Sequence, residues 1–174
     1  EYISINNLNL YNEDNHLDSL GNTKLLAGFG GASNTWGSGK NVRFGVKIVA
    51  TSHSLSGFRF NNLEIHNIYP TPTLSQNVHK GYGLKLETQS DTTNFLFNII
   101  SDVKVSNCYF HHTGHYGIWI KSIGLNNIDS VKNFDIDILN CDFQYTGGSG
   151  FVPNKSKNIL VQDCFFNHCG SSED

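Results

Sequence analysis

The chain has 174 residues, enough for one domain with a real core, and its 12% aromatic content argues against disorder. Charged residues make up only 16%, net charge is −3, and no basic block is present, which argues against nucleic acid as a partner. The longest apolar runs, such as Phe95-Leu96-Phe97, are far too short to cross a bilayer, and 4 cysteines are too few for a disulfide scaffold.

The first predicted element runs from Tyr2 to Tyr11. Ile3 and Ile5 alternate with polar neighbours, Asn7 marks a turn, and Leu8 and Leu10 follow. Apolar residues at period two are the mark of a strand with one buried face. A long loop insertion is predicted for residues 13–42, before a strand at Gly45-Val46-Lys47-Ile48. Gly57 to His66 then restates the opening pattern, with Phe58, Phe60, Asn62, Leu63 and Ile65. A second loop from about Tyr69 to Tyr82 leads into Gly83-Leu84-Lys85-Leu86. The pattern returns from Asp102 to His111 as Val103, Val105, Asn107, Cys108 and Phe110. A compact loop from His111 to Tyr116 precedes Gly117-Ile118-Trp119-Ile120. Asp135 to Gln144 and Asn158 to Asn167 repeat the motif again, separated by Gly150-Phe151-Val152-Pro153.

Every unit therefore reads strand, Asn or Asp turn, strand, Gly-containing turn, strand. The residues after the turn, Leu8, Leu63, Cys108, Cys141 and Cys164, are spaced by 55, 45, 33 and 23 residues, and the excess over the shortest spacing falls in loops. No unit has a 3.6 period, which excludes a helical solenoid. A single coil cannot bury its inward side chains, whereas stacked coils align them into a continuous core. The fold class expected is therefore all-β: a right-handed parallel β-helix, or solenoid, of about five coils. The recurrent Asn suits a tight turn and an amide ladder between coils. Cys108, Cys141 and Cys164 share one inward column, as buried thiols badly aimed for a disulfide, and Cys169 aligns inward with Thr113 and Thr146. Residues 1–174 form one segment of the solenoid, and repeat proteins need capped ends. The helix is accordingly expected to continue beyond residue 174, its remainder packing on the C-terminal coil.

The rungs FDIDILNCDFQYTGGSGFVPNKSKNILVQDCFFNHCG (Phe134 to Gly170) and VKVSNCYFHHTGHYGIWIK (Val103 to Lys121) resemble the right-handed parallel β-helix superfamily of carbohydrate-active enzymes. Within it, the Gly148-to-Asp174 stretch looks similar to β-helix proteins near the fucosidase and fucanase families. The resemblance implies a secreted or periplasmic polysaccharide-degrading enzyme. It also implies that the Gly-led strands form the first parallel sheet, whose outer face is the substrate groove. Period two then turns Lys47, Lys85, Trp119 and Val152 outward, followed by Val49, Glu87, Lys121 and Asn154.

These side chains suit an acidic or sulfated polysaccharide. Tyr116 and Trp119 offer flat faces for pyranose rings. Lys85 and Lys121 offer cations for carboxylate or sulfate groups. Glu87 and His115 are the candidate catalytic residues, as proton donor or acceptor. The bland alternative is a solvated strand face for Lys47 and Lys85. His111-His112-x-x-His115 has no carboxylate or Cys partner at a diagnostic spacing, and Gly81-Tyr82-Gly83 has no helix after it. No metal and no cofactor is expected. A glycoside hydrolase is the preferred activity, needing two carboxyl groups about the scissile bond. The alternatives are a lyase acting by β-elimination on a uronate polymer, and a non-catalytic glycan-binding or structural β-helix. Long, uneven loops gathered on one side favour a shaped cleft over a plain shaft.

Overall fold

A computed structural model describes residues 3–7, 9–11, 16–17, 23–24, 44–68, 81–90, 97–123 and 133–170. All regular structure among the described residues is β, and three parallel sheets account for most of it. The strands before the Asn turns form a pre-turn sheet: β1 (Ile3–Asn6), β6 (Leu55–Asn61), β9 (Ile100–Ser106), β12 (Asn133–Leu139) and β15 (Ser156–Gln162), adjacent in that order. Those after the turns form a post-turn sheet: β2 (Asn9–Tyr11), β7 (Glu64–Ile68), β10 (Tyr109–Thr113), β13 (Asp142–Thr146) and β16 (Phe165–Asn167). The glycine-led sheet holds β5 (Phe44–Ala50), β8 (Tyr82–Gln89), β11 (Tyr116–Ile123) and β14 (Phe151–Pro153). The chain visits the three sheets in rotation, and each strand pairs with its equivalent from the neighbouring repeat.

Within the span 13–42, β3 (His16–Leu17) and β4 (Thr23–Lys24) pair antiparallel, and the rest of that span lies outside the described residues. Residues 69–80 of the second predicted loop lie outside them too. The third loop is shorter than expected, because His111 to Thr113 belong to β10.

The repeat alignment is the observed register. Ile3 pairs with Phe58, Phe58 with Val103, Val103 with Ile136 and Ile136 with Ile159. In the post-turn sheet Leu10, Ile65, Phe110, Phe143 and Phe166 are likewise in line. The core fills the space between the sheets, with Phe58 and Phe60 from one, Phe110 and Phe143 from the second, and Leu84, Leu86, Ile118 and Ile120 from the third. Parallel rings stack along it, Phe110 on Phe143 at 5.2 Å and Phe143 on Phe166 at 4.7 Å.

That aromatic column explains the glycines opening the third strands. A Cβ on Gly117 would lie 2.6 Å from the Gly150 carbonyl oxygen and 2.7 Å from Phe143 Cδ1. The turn residues Asn7, Asn62, Asn107, Asn140 and Asp163 all take left-handed backbone, φ 50° to 56°, which Asn and Asp tolerate better than other side chains. Their amides do form an inter-repeat ladder. Asn62 Nδ2 donates to Asn7 Oδ1 at 2.8 Å and Asn140 Nδ2 to Asn107 Oδ1 at 2.7 Å, while Asn107 Nδ2 turns to Asn61 Oδ1 at 2.8 Å.

All four cysteines are free thiols, Cys108 and Cys141 fully inside and Cys164 and Cys169 packed against the core. The Cys108, Cys141 and Cys164 sulfurs each donate to the carbonyl two residues earlier, at 3.1 to 3.2 Å. Two buried amides brace the corners. Asn98 Nδ2 donates to the Thr51 and Gln89 carbonyls, and Asn133 accepts from the Ile100 N–H at 2.8 Å while donating to Ser122 Oγ at 3.0 Å.

Candidate functional site

The glycine-led sheet carries the sequence-predicted residues on one face. Lys47, Lys85, Trp119 and Val152 pair in one row across β5, β8, β11 and β14. Val49, Glu87 and Lys121 form the next row, two residues along. Alternation within β8 puts Leu84 and Leu86 in the core and Lys85 and Glu87 on the opposite side.

Of the two lysines for which a solvated strand face is the alternative, Lys47 is exposed and fits it, whereas Lys85 does not. Lys85 is only 6% exposed and Glu87 only 4%. Their charges meet directly, Lys85 Nζ lying 2.6 Å from Glu87 Oε2, and Gln89 Nε2 donates to the other carboxylate oxygen at 2.9 Å. Aromatic rings surround the ammonium: Nζ is 4.7 Å from the Trp119 ring centre, 5.2 Å from Phe44 and 5.5 Å from Tyr82. Cation–π attraction of this kind is strongest where water is displaced. Lys121 Nζ approaches the same Trp119 ring at 4.8 Å.

Burial alone would raise the Glu87 pKa. The bonds from Lys85 and Gln89, with the nearby Lys47 charge, override it and hold the carboxyl below its ordinary value. Burial dominates at Lys85 and depresses its ammonium pKa, against the pull of Glu87 and with the help of Lys47 and Lys121. Glu87 is thus an ionised carboxylate at neutral pH, suited to accept a proton or stabilise positive charge and unsuited to donate one.

Tyr116, Trp119 and His115 gather at the start of β11. Trp119 stacks on Tyr82 at 4.9 Å and meets Tyr116 edge-on at 5.6 Å, and His115 stacks on Tyr116 at 3.6 Å. All three are half-buried. Tyr116 is level with Tyr82 and Lys121 with Glu87. Tyr82, whose ring meets His115 at 5.7 Å, and Lys85, whose ammonium is 5.5 Å from the Tyr82 ring and bonded to Glu87, lie between His115 and Glu87. The two proton-transfer candidates are therefore not in direct contact. Among the described residues, the register neighbours of Glu87 are Val49 and Lys121, and neither is a carboxylate.

A second group lies on the post-turn sheet. Glu64, His66 and His111 each turn one ligand atom into a common space, all within 4.8 Å of one another. The His66 and His111 rings stack at 4.7 Å, only 6° from parallel, and His111 Nε2 lies 3.2 Å from Glu64 Oε1. Burial lowers the His111 pKa more than the Glu64 contact raises it. The sequence held a signal for this set, since His66 and His111 occupy the same repeat position and Glu64 precedes His66 by two. A search for local histidine spacing, which found His111, His112 and His115, looks along one strand and misses a cluster built across two.

No protein-family model matches the chain, and no curated protein or solved structure matches it significantly.

Proposed function

We propose that the three sheets are the walls of a right-handed parallel β-helix of about five coils, and that the chain is a glycoside hydrolase acting on an acidic or sulfated polysaccharide. The polymer runs along the outer face of the glycine-led sheet. The observation that carries this reading is the convergence, in register, of Trp119, Lys85 and Lys121 about one ionised carboxylate, Glu87, with Tyr116 edge-on to Trp119 farther along the face. Aromatic rings suit the C–H faces of pyranoses and lysines suit anionic substituents, so both recognition elements of an anionic glycan meet on one strand row. Tyr116, Trp119 and Lys121 are half-buried and meet the polymer first. Glu87 reaches it when its bond to Lys85 opens, and acts as nucleophile or base. His115 transfers a proton at the Tyr116 end of the face. The second carboxyl group that hydrolysis needs comes from outside the described register neighbours of Glu87. In the same reading the protein works in the periplasm or outside the cell. Further coils of the same kind seat on the apolar face left open by Ile159, Val161 and Phe166.

One observation favours β-elimination as the second reading. The depressed ammonium pKa of Lys85 fits a base that removes a proton from the carbon beside a uronate carboxylate. The deciding experiment incubates the protein with a panel of acidic and sulfated polysaccharides and follows reducing ends together with the ultraviolet absorbance of unsaturated uronates. New reducing ends without unsaturation support hydrolysis; both signals together support the lyase and reject the hydrolase. Neither signal, with retention of the chain on an immobilised polymer lost in Trp119→Ala, makes it a binding module. Neither signal and no retention sinks the glycan reading altogether.

A further inference from the structure

The post-turn sheet carries a second site, distinct from the glycine-led face. We propose that Glu64, His66 and His111 bind one divalent transition-metal ion of the zinc class, pinning β7 to β10 from the outside.

The geometry comes directly from the parallel register. Strands β7 and β10 pair in line, His66 opposite His111, so equivalent side chains stand side by side about 4.8 Å apart. Residues two apart on a strand share a face, which puts Glu64 beside His66 and diagonal to His111. The resulting triangle has two imidazole nitrogens and one carboxylate oxygen within 4.8 Å of one another. Small rotations of the side chains bring such atoms to the 2.0–2.2 Å bonds that zinc makes with nitrogen and oxygen, roughly tetrahedral about the ion.

Donor chemistry selects the ion. Two imidazoles and one carboxylate suit zinc, copper, nickel or cobalt, whereas calcium and magnesium want oxygen ligands throughout. Three protein ligands leave a coordination position for water or for an oxygen of an anionic ligand. The surroundings supply the outer support that metal-bound imidazoles use. His112 Nδ1 lies 2.8 Å from His111 Nδ1 and holds the far side of the His111 ring, so that Nε2, 3.2 Å from Glu64 Oε1, faces the space the metal would take, and the Tyr109 ring stacks on His111 at 4.1 Å. The post-turn rows on either side are not equipped alike. Beyond His111 the same position is Gln144 and then Asn167, and beyond His66 it is Tyr11, so only this one step of the described ladder pairs two histidines.

The test is calorimetric titration of the whole chain with Zn²⁺ in a non-chelating buffer, joined to histidine ring nitrogen resonances of the unaltered protein. Expected is one equivalent of zinc, with the His66 and His111 resonances shifted and those of His53 and His115 unmoved. Binding is lost in His66→Ala and in His111→Ala, while His112→Ala weakens it by about 10-fold to 100-fold through the lost outer support. Zinc heats that are the same in the His66→Ala/His111→Ala double variant, or histidine resonances at 53 and 115 shifting in place of 66 and 111, would overturn the site. The resonance measurement needs no substitution, so the proposal stays open to refutation even if a variant fails to fold.

Discussion

Removing one partner of the Lys85–Glu87 contact leaves a single charge where each side chain is less than a tenth exposed. Stripping a buried pair from one side costs about 3–5 kcal/mol, whereas replacing both partners with apolar or neutral groups of similar volume is often close to neutral. Glu87→Gln is accordingly expected to lower stability in urea denaturation by about that amount, and Lys85→Met/Glu87→Gln to recover most of it. The pH dependence has a definite sign. Glu87 binds its proton less readily folded than unfolded, so its contribution is present above the ordinary carboxylate pKa and lost as pH falls through the lower folded value. Lys85 is also depressed on folding, so its penalty is present below its folded pKa and disappears as pH rises past the unfolded one. Only Glu87 of the two titrates in acid. Wild-type stability should fall there more steeply than that of the double variant, and parallel acid curves would show that the pair plays no part.

What could be read at this scale was direction, not cover. Period two assigned Lys85 and Glu87 to the outer face correctly, since Leu84 and Leu86 fix the inner one. Nothing in a one-dimensional pattern says how much water an outer face meets, so it could not separate the exposed Lys47 from its register partner Lys85, which is buried. A related blind spot is the left-handed backbone at His112, Tyr145 and His168, φ 50° to 51°. Asn67 at the same position of the preceding repeat is the type that tolerates it best, histidine less so, and Tyr145 least. In the later repeats stacking supplies the support, Tyr145 lying between His112 and His168 at 5.0 Å from each.

Element boundaries follow from contacts between neighbouring repeats more than from strand propensity. The second residue of β11, Gly117, is a glycine because its missing Cβ admits the Gly150 carbonyl and the Phe143 ring. Overpacking of a filled core costs about 1–3 kcal/mol, and Gly117→Ala meets backbone as well as side chain. It should cost at the upper end of that range, measured by urea denaturation, and adding Phe143→Leu should restore only part, because the carbonyl contact stays. Full restoration would mean that the ring alone demands glycine. At the opposite corner, Asn133→Leu keeps the bulk of the side chain and strands the Ile100 N–H in the interior. A buried donor left without an acceptor costs about 1–3 kcal/mol, and hydrogen exchange at Ile100 should quicken with it. Register was legible at this scale because five copies of one pattern constrain each other; a single copy of Asn-Cys-Asp-Phe would not have placed Phe143 beside Phe110. The buried Asn98 and Asn133 were not legible, because they occur outside the repeated motif and resemble any loop asparagine.

Across the whole molecule the same columns pass from sealed to open. Ile136, Ile138 and Phe143 have no measurable exposure, whereas their register partners Ile159, Val161 and Phe166 are 37%, 42% and 46% exposed. Identical chemistry in identical register thus makes two contrary forecasts. Ile138→Lys buries an unpaired charge and should unfold the protein, since such a group has no favourable partner inside. In residues 1–174 taken alone, Val161→Lys places the charge in water, where surface substitutions stay within about 0.5 kcal/mol of neutral, and Phe166→Lys costs more because it also removes the ring stacked on Phe143. Because a broad exposed apolar face drives association, those two variants should also scatter less light at high concentration than the wild type does. If Val161→Lys proves as damaging as Ile138→Lys, the open face is covered in solution, by a further coil or by a second copy. Sedimentation of the wild type at falling concentration then separates these, since only the second copy dissociates on dilution.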